Sequence, residues 1–408
     1  MRFQLRPILK AIWMLFSVDA HAIGRHLAGN EVYVRSLLEA FDAVDRSSEF
    51  IAYVSDRDAA GGIPRRFRAE FVSADPFVRL GYDLPRRIRA DRPDLIHVQY
   101  TAPLFCAAPI VVSVHDVSFL HHPEYFTRAR CAQLRLTVRR TVERAARIIT
   151  DSEFSRRAIA RAYSLDPDRI AVIPIAAAPG FRPIQRERAR EYVKRAFGIA
   201  APFIFNVGDL QPRKNQLGLV EAFASMLSSH PELKHHLVLA GQDRLGAASI
   251  RRAAEQSGFE ERIHFTGFVS DGDLLQLYNA CEFFVFPSFY EGFGMPVLEA
   301  MACGRAVACS NSSAVHEVAD AAALLFDPHS KEEIVRAMLD LALDAELRAR
   351  LRAGVELLRQ LRGEPGDDVD LGRRIRDEPV LAGPPDHGDG CQRGEADDRH
   401  DRDDDVDS

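Results

Sequence analysis

The chain has little cysteine, a single tryptophan and no long apolar run, and each scarcity removes a class of protein. Its six cysteines among 408 residues stand apart at Cys106, Cys131, Cys281, Cys303, Cys309 and Cys391, with no CxxC pair. That spacing excludes zinc ribbons and a compact disulfide framework, and fits reduced thiols in a cytosolic protein. No stretch is long enough to cross a bilayer as a helix. Aromatic residues do not interleave with basic runs, so no nucleic-acid platform is expected. No G-x-G-x-x-G follows the first strand-like segment, because Gly24 and Gly29 have no glycine between them. A nicotinamide oxidoreductase is therefore disfavoured.

The formal net charge of -6 is unevenly spread. Residues 363–408 carry sixteen acidic and six basic side chains, which leaves the rest slightly basic. Much of that excess is arginine in the first half, as at Arg65, Arg66, Arg68, Arg86, Arg87 and Arg89. A basic surface suits an anionic membrane or substrate, although solvation alone accounts for any single cluster. The tail from 363 is dominated by Gly, Pro, Asp and Arg and is expected to be disordered. A natural acidic tail and a shifted reading frame in a GC-rich gene would both give this composition.

At the other end, Arg2, Arg6 and Lys10 precede the apolar run 11–18, and Ala20-His21-Ala22 resembles a signal-peptidase site. Residues 14–19 also read as a buried strand. A loop containing Gly24 and Gly29 follows, then a helix over 31–41 with Val34, Leu37, Leu38 and Phe41 at helical spacing. Cleavage after Ala22 would delete the central strand of this unit, so the strand is the preferred reading, with Met14 available as a start. Further strands are expected at 50–54, 95–99, 110–115, 147–151 and 170–173. After an Ala- and Pro-rich boundary they resume at 203–208, 237–240, 263–266, 283–287 and 306–310. Short parallel-type strands alternating with amphipathic helices define an α/β protein. Two Rossmann-like doubly wound domains facing a cleft are expected, over 1–180 and 181–362, with ligand groups at the carboxyl ends of the strands.

Chemistry concentrates in the second half. The segment Asn206-Val-Gly208-Asp-Leu-Gln-Pro-Arg213-Lys214-Asn215 follows a strand, and its two adjacent cations face a helix start. Pyrophosphate needs such cations together with the field of a helix N-terminus; an exposed Arg-Lys pair is the alternative. The segment Ser288-Phe-Tyr-Glu291-Gly292-Phe293-Gly294-Met295-Pro296-Val297-Leu298-Glu299-Ala300 places two carboxylates eight residues apart. The glycine-flanked loop can offer backbone N–H groups to an anion or sugar. Glu291 can accept from sugar hydroxyls, and Glu299, expected about two turns into the next helix, can reach a ribose.

These segments, with LAGQD, RIHFTGFVSDGDLLQLYNACEFFVFPSFYEGFGMPVLEAMACGRAVACSN and HEVADAAALLFDP, resemble family 4 of the glycosyltransferases, of GT-B fold. The pair Glu291 and Glu299 matches that family's E-x7-E motif. In the first half, Val114-His115-Asp116, His122-Pro123-Glu124 and Thr150-Asp151-Ser152-Glu153-Phe154-Ser155 are similar to its mannosyl- and rhamnosyltransferase-like members. The resemblance implies a retaining transfer from a nucleoside diphosphate sugar, without metal or other cofactor. It implies that Arg213 and Lys214 hold the diphosphate and that Gly208 shapes their turn. Glu291, Gly292, Phe293, Gly294 and Met295 would hold the sugar, and Glu299 the ribose. His115 would lie across the cleft, with Gly24 and Gly29 bordering donor and acceptor. The acceptor would be a saccharide or lipid-linked saccharide, with peripheral contact at the inner membrane face.

The sequence departs from the family in three places. Asp209 stands where many members have arginine, and Ile175-Ala176 where Asn-Gly is usual. The closing helix that returns to the first domain has no counterpart in the pattern after 362. A non-catalytic protein that binds nucleotide sugars therefore stays open as a second reading.

Overall fold

The computed structural model describes residues 14–25, 29–319 and 322–362. The acidic tail, and any helix returning from it, lies outside the described residues.

Short runs of β-branched and aromatic residues, apolar on both faces, build two all-parallel sheets. The first contains β1 (Leu15–Asp19), β2 (Glu49–Val54), β3 (Arg68–Phe71), β4 (Leu95–Gln99), β5 (Ile110–Ser113), β6 (Arg147–Thr150) and β7 (Ile170–Val172). Their spatial order is β3-β2-β1-β4-β5-β6-β7. Residues 14–19 thus supply a central strand, as the sequence predicts. The second sheet contains β8 (Phe203–Val207), β9 (His236–Ala240), β10 (Ile263–Gly267), β11 (Phe283–Phe286), β12 (Val307–Ser310) and β13 (Leu324–Phe326). It runs β10-β9-β8-β11-β12-β13. Neither β3 nor β13 was expected, and several expected strands end one or two residues early.

Right-handed crossovers decide which face each helix covers. The β1-to-β2 connection moves one way along the first sheet and puts α1 (Gly29–Val44) on one face, with Val34 and Leu38 against Val18, Phe50 and Val54. The later connections move the other way. They put α2 (Leu84–Asp91), α3 (Arg128–Arg144) and α4 (Glu153–Tyr163) on the opposite face, where Ile88, Val138 and Ile159 pack with Ile96, Val112 and Ile148. In the second domain both faces are covered. The helices α5 (Arg186–Phe197), α8 (Asp271–Ala280) and α9 (Met295–Ala302) take one face. The other is taken by α6 (Gln216–Ser229), α7 (Ala247–Gln256) and α11 (Lys331–Leu343). The short α10 (Val315–Ala319) follows β12. Phe181 and Ile184, ahead of α5, pack on the second core, and Ile184 N donates to Asn279 Oδ1 at 2.9 Å.

Candidate active site

The carboxyl ends of the strands carry the polar groups of the site. After β8 the chain passes Gly208, whose φ of 149° favours glycine. A Cβ there would stand 3.4 Å from the Lys214 methylenes, so the bare backbone leaves that side chain its path. A single 3-10 turn, Pro212–Lys214, then leads into α6. Asn215 takes a left-handed φ of 54° at the junction and donates from Nδ2 to the carbonyl of Pro328 at 2.9 Å.

This turn sets Arg213 and Lys214 side by side on Glu291. Arg213 Nη1 donates to Glu291 Oε2 at 2.8 Å and to the carbonyl of Tyr290 at 2.6 Å. Lys214 Nζ donates to Glu291 Oε1 at 2.7 Å and lies 5.2 Å from the centre of the Phe286 ring. All three charged side chains are largely buried. Burial alone would raise the Glu291 carboxyl, but Arg213 and then Lys214 outweigh it and hold the group at about 2. Burial depresses the Lys214 ammonium, and Glu291 only partly offsets it. Two cations share one carboxylate in direct contact where water is scarce, an imbalance that Asp116 near Arg213 and Asp209 near Lys214 reduce from further away. An anion accepting from either cation would relieve that imbalance.

The loop from Ser288 to Gly294 brings the two domains into contact. Gly292 abuts the backbone of His115, and a Cβ on it would overlap the His115 carbonyl. The Gly292 carbonyl accepts from Ser152 Oγ at 2.7 Å and Ser155 Oγ at 3.1 Å. Ser155 Oγ also donates to the His115 carbonyl at 2.8 Å. Next to this seam, Glu153 N donates to Glu317 Oε2 at 2.9 Å, and the Tyr290 ring meets His122 and Phe154 edge-on. The His115 ring itself is held within the first domain. Its Nδ1 donates to Asp151 Oδ2 at 2.7 Å, Nε2 lies 3.3 Å from Gln99 Oε1, and the Tyr33 ring stands edge-on at 4.5 Å.

The expected donor-site residues occupy different parts of the structure. Arg213, Lys214, Gly208 and Glu291 form one cluster, and Gly292 with His115 forms the seam. Phe293 packs against the second core, Gly294 has a φ of 115°, and Met295 is the first residue of α9. Glu299 sits little more than one turn into α9, which begins at Met295, and not about two turns in as expected. It is 8 % exposed, and Tyr278 donates to its Oε2 at 2.8 Å. With no cation paired to it among the described residues, burial pushes the Glu299 carboxyl up to about 7. Gly24 donates from its N–H to Glu31 Oε1 at 2.9 Å, and Gly29 opens α1. Asp209 receives Arg244 at 2.9 Å and Gln242 N at 3.1 Å.

Sequence reading assigned no role to Asp151, Ser152, Ser155, Tyr278, Tyr290 or Glu317. The motif segments containing all six were visible, but nothing local to a serine says that its partner is a carbonyl about 140 positions away.

Two doubly wound domains that meet at the carboxyl ends of their strands, with paired cations beside the seam, form the GT-B arrangement. The family described as Glycosyltransferase Family 4 matches residues 23–176, and Glycosyl transferases group 1 matches residues 190–356. The chain belongs to the family 4 glycosyltransferases. It is 33 % identical over 224 residues to O-antigen chain mannosyltransferase B of Escherichia coli, a match covering 55 % of this chain and 58 % of that one. It is 34 % identical over 214 residues to the serotype-specific mannosyltransferase WbdA of Escherichia coli, covering 52 % of this chain and 26 % of that protein. These matches therefore span at most about three-fifths of either relative's length. The fold is similar to that of Anabaena Alr3699/HepE, solved in complex with UDP and glucose. That likeness has a TM-score of 0.68 at 19 % identity and covers 89 % of this chain and 98 % of that one.

Proposed function

We propose that this chain transfers a sugar from a nucleoside diphosphate sugar to a saccharide or lipid-linked saccharide acceptor, with retention at the anomeric carbon. The observation that carries the reading is the buried Arg213–Lys214 pair at the start of α6, tied to Glu291 beside the interdomain seam. In the transfer, the bond from the anomeric carbon to the diphosphate oxygen breaks and its electron pair goes to the diphosphate. The acceptor oxygen bonds to the same face of the carbon, and its proton passes to a diphosphate oxygen. Negative charge grows on the leaving group, and preorganised cations in a dry site lower the barrier to that step. Arg213 and Lys214 supply them. Glu291 keeps both cations aimed, and its remaining lone pairs are free to accept from sugar hydroxyls. Glu299 takes the ribose. A GDP-mannose-like donor is favoured by the two mannosyltransferase relatives, and surface polysaccharide synthesis by the O-antigen name that one of them carries.

Contact with an anionic membrane fits the exposed Phe77, Tyr82, Leu104, Phe105 and Leu136, which lie in the arginine-rich first domain. Salt-sensitive binding to anionic vesicles tests it. Among the described residues no helix is long and apolar enough to cross a membrane.

Thermal stabilisation by GDP, UDP, ADP and dTDP, each without metal, tests the donor site. A nucleotide at a hundredfold excess over its dissociation constant stabilises the folded state by about 2.7 kcal/mol. One clear responder supports the site and names the base. A folded chain that responds to none, and turns over no labelled donor, overturns the proposal.

A further inference from the structure

The diphosphate and sugar groups stand at the carboxyl ends of the strands, and the opposite rim of the second sheet gathers charge of its own. There Glu282 leads into β11, Arg305 into β12 and His235 into β9. Arg186 opens α5, and Arg348 and Arg352 stand one turn apart on α12 (Ala345–Arg362), the helix that follows α11.

Each of these arginines is fixed by a carbonyl. Arg186 Nη2 donates to the Cys281 carbonyl at 3.2 Å, and Arg305 Nε to that of Cys303 at 3.3 Å. Arg348 Nη1 donates to the Ala342 carbonyl at 3.2 Å, and Arg352 Nε to that of Arg348 at 3.1 Å. Three of these carbonyls lie at the ends of α8, α9 and α11, where they carry only partial negative charge.

Full counter-charge is scarcer. Among the described residues Glu282 is the one carboxylate in ion-pair contact with any of the four arginines, and it is already shared. Its Oε1 lies 3.1 Å from Arg348 Nη2, and its Oε2 lies 3.3 Å from His235 Nε2. Arg305 is nevertheless 8 % exposed, and Arg186 Nε is buried without a hydrogen-bond partner. Burial lowers the Arg305 guanidinium from its ordinary value, and Arg186 and Arg352 add to the shift. Arg352 is lowered in the same way, by burial and then by Arg186 and Arg348. Crowded cations with few counter-charges are costly unless an anion joins them.

We propose that this rim is an oxoanion site, at which Arg186, Arg305 and Arg352 bind a phosphate group while Glu282 stays with Arg348 and His235. A guanidinium fork matches two phosphate oxygens, and several converging forks favour a compact dianion over chloride. Inorganic phosphate and the phosphate of a lipid headgroup share this chemistry. The rim lies at the other end of the strands from Arg213 and Lys214, so the site is separate from donor binding.

Inorganic phosphate should raise the melting temperature of the full chain, and sodium chloride at the same ionic strength should not. Arg186→Gln together with Arg352→Gln alters two half-buried side chains and leaves Arg305 in place. That double variant should lose the phosphate-dependent rise, and calorimetry should show phosphate binding weakened at least about tenfold. Arg352→Gln alone, which gives up one bond within its own helix, serves the same test should the double variant not fold. A variant that melts lower by the same amount with and without phosphate has lost only its carbonyl bonds, and overturns the proposal. So does an equal rise with chloride, or no rise at all in the unaltered chain. A rise lost in Lys214→Ala and kept in the arginine variants places the phosphate at the donor site and also overturns it. Vesicles identify the source. Retention on phosphatidylglycerol but not phosphatidylcholine, displaced by inorganic phosphate and lost in the double variant, names a lipid headgroup. Phosphate binding without such retention names the free ion.

Discussion

Lys214 and Glu299, on the loop–helix units that follow β8 and β11, show how one domain can hold two buried ionisable groups in opposite surroundings. Lys214 shares Glu291 with Arg213, so its removal leaves a one-to-one ion pair and no orphan charge. Lys214→Ala should therefore cost at least about a hundredfold in turnover, as loss of a transition-state cation does. Its melting temperature should stay close to that of the unaltered protein. Normal turnover in the purified variant would remove the diphosphate assignment. Glu299 has the opposite problem, a buried carboxyl with a tyrosine donor and no cation among the described residues. Its folded value of about 7 lies above the ordinary 4.5, so the native state holds a proton that the unfolded state releases across that window. The group's contribution is complete below about pH 4.5 and is lost as the pH rises through 7, a change on the order of 3 kcal/mol. Stability measured against pH should slope downward there, and Glu299→Gln should flatten the slope. A ribose hydroxyl is best met by the ionised form. Nucleotide affinity, followed by calorimetry from about pH 6 to about pH 8, should rise in the native chain and stay level in Glu299→Gln.

At the scale of elements, the seam depends on a residue without a side chain. Gly292→Ala should drive the loop off His115 and break the hydroxyl contacts of Ser152 and Ser155. Each domain keeps its own core, so the expected outcome is a folded protein, looser by small-angle scattering, with turnover reduced by more than tenfold. Unchanged scattering and turnover would show that the seam is not needed. The sequence made most of this architecture legible because the central strands are apolar on both faces and bounded by turns. It missed β3, an edge strand that opens on Arg68 and alternates with Glu70, and β13, three residues at the other sheet's rim. Neither has the double burial that marks a central strand. The overshoot at 110–115 and 147–151 has a local cause. His115 and Asp151 continue past the last ladder bond, paired to each other rather than to a neighbouring strand. The motifs pointed to the cation pair and both carboxylates, but only the fold shows that Glu291 grips the cations while Glu299 is met by Tyr278.

For the whole molecule, the proposed site draws on both domains, since the cations stand on the second and His115 on the first. Charge on the leaving group is assigned to Arg213 and Lys214, so a chelator should leave turnover unchanged. Strong inhibition by EDTA, reversed by a divalent ion, would contradict that division of labour. The strand orders carry a further consequence, for biosynthesis. In each sheet the strand made first lies in the interior, and every later one joins at a free edge: β2 and β3 beside β1, then β4 to β7 outward on its other side, and likewise from β8. A nascent chain emerging from the ribosome never has to pry apart two strands already paired, and the first seven-stranded layer can finish before the second begins.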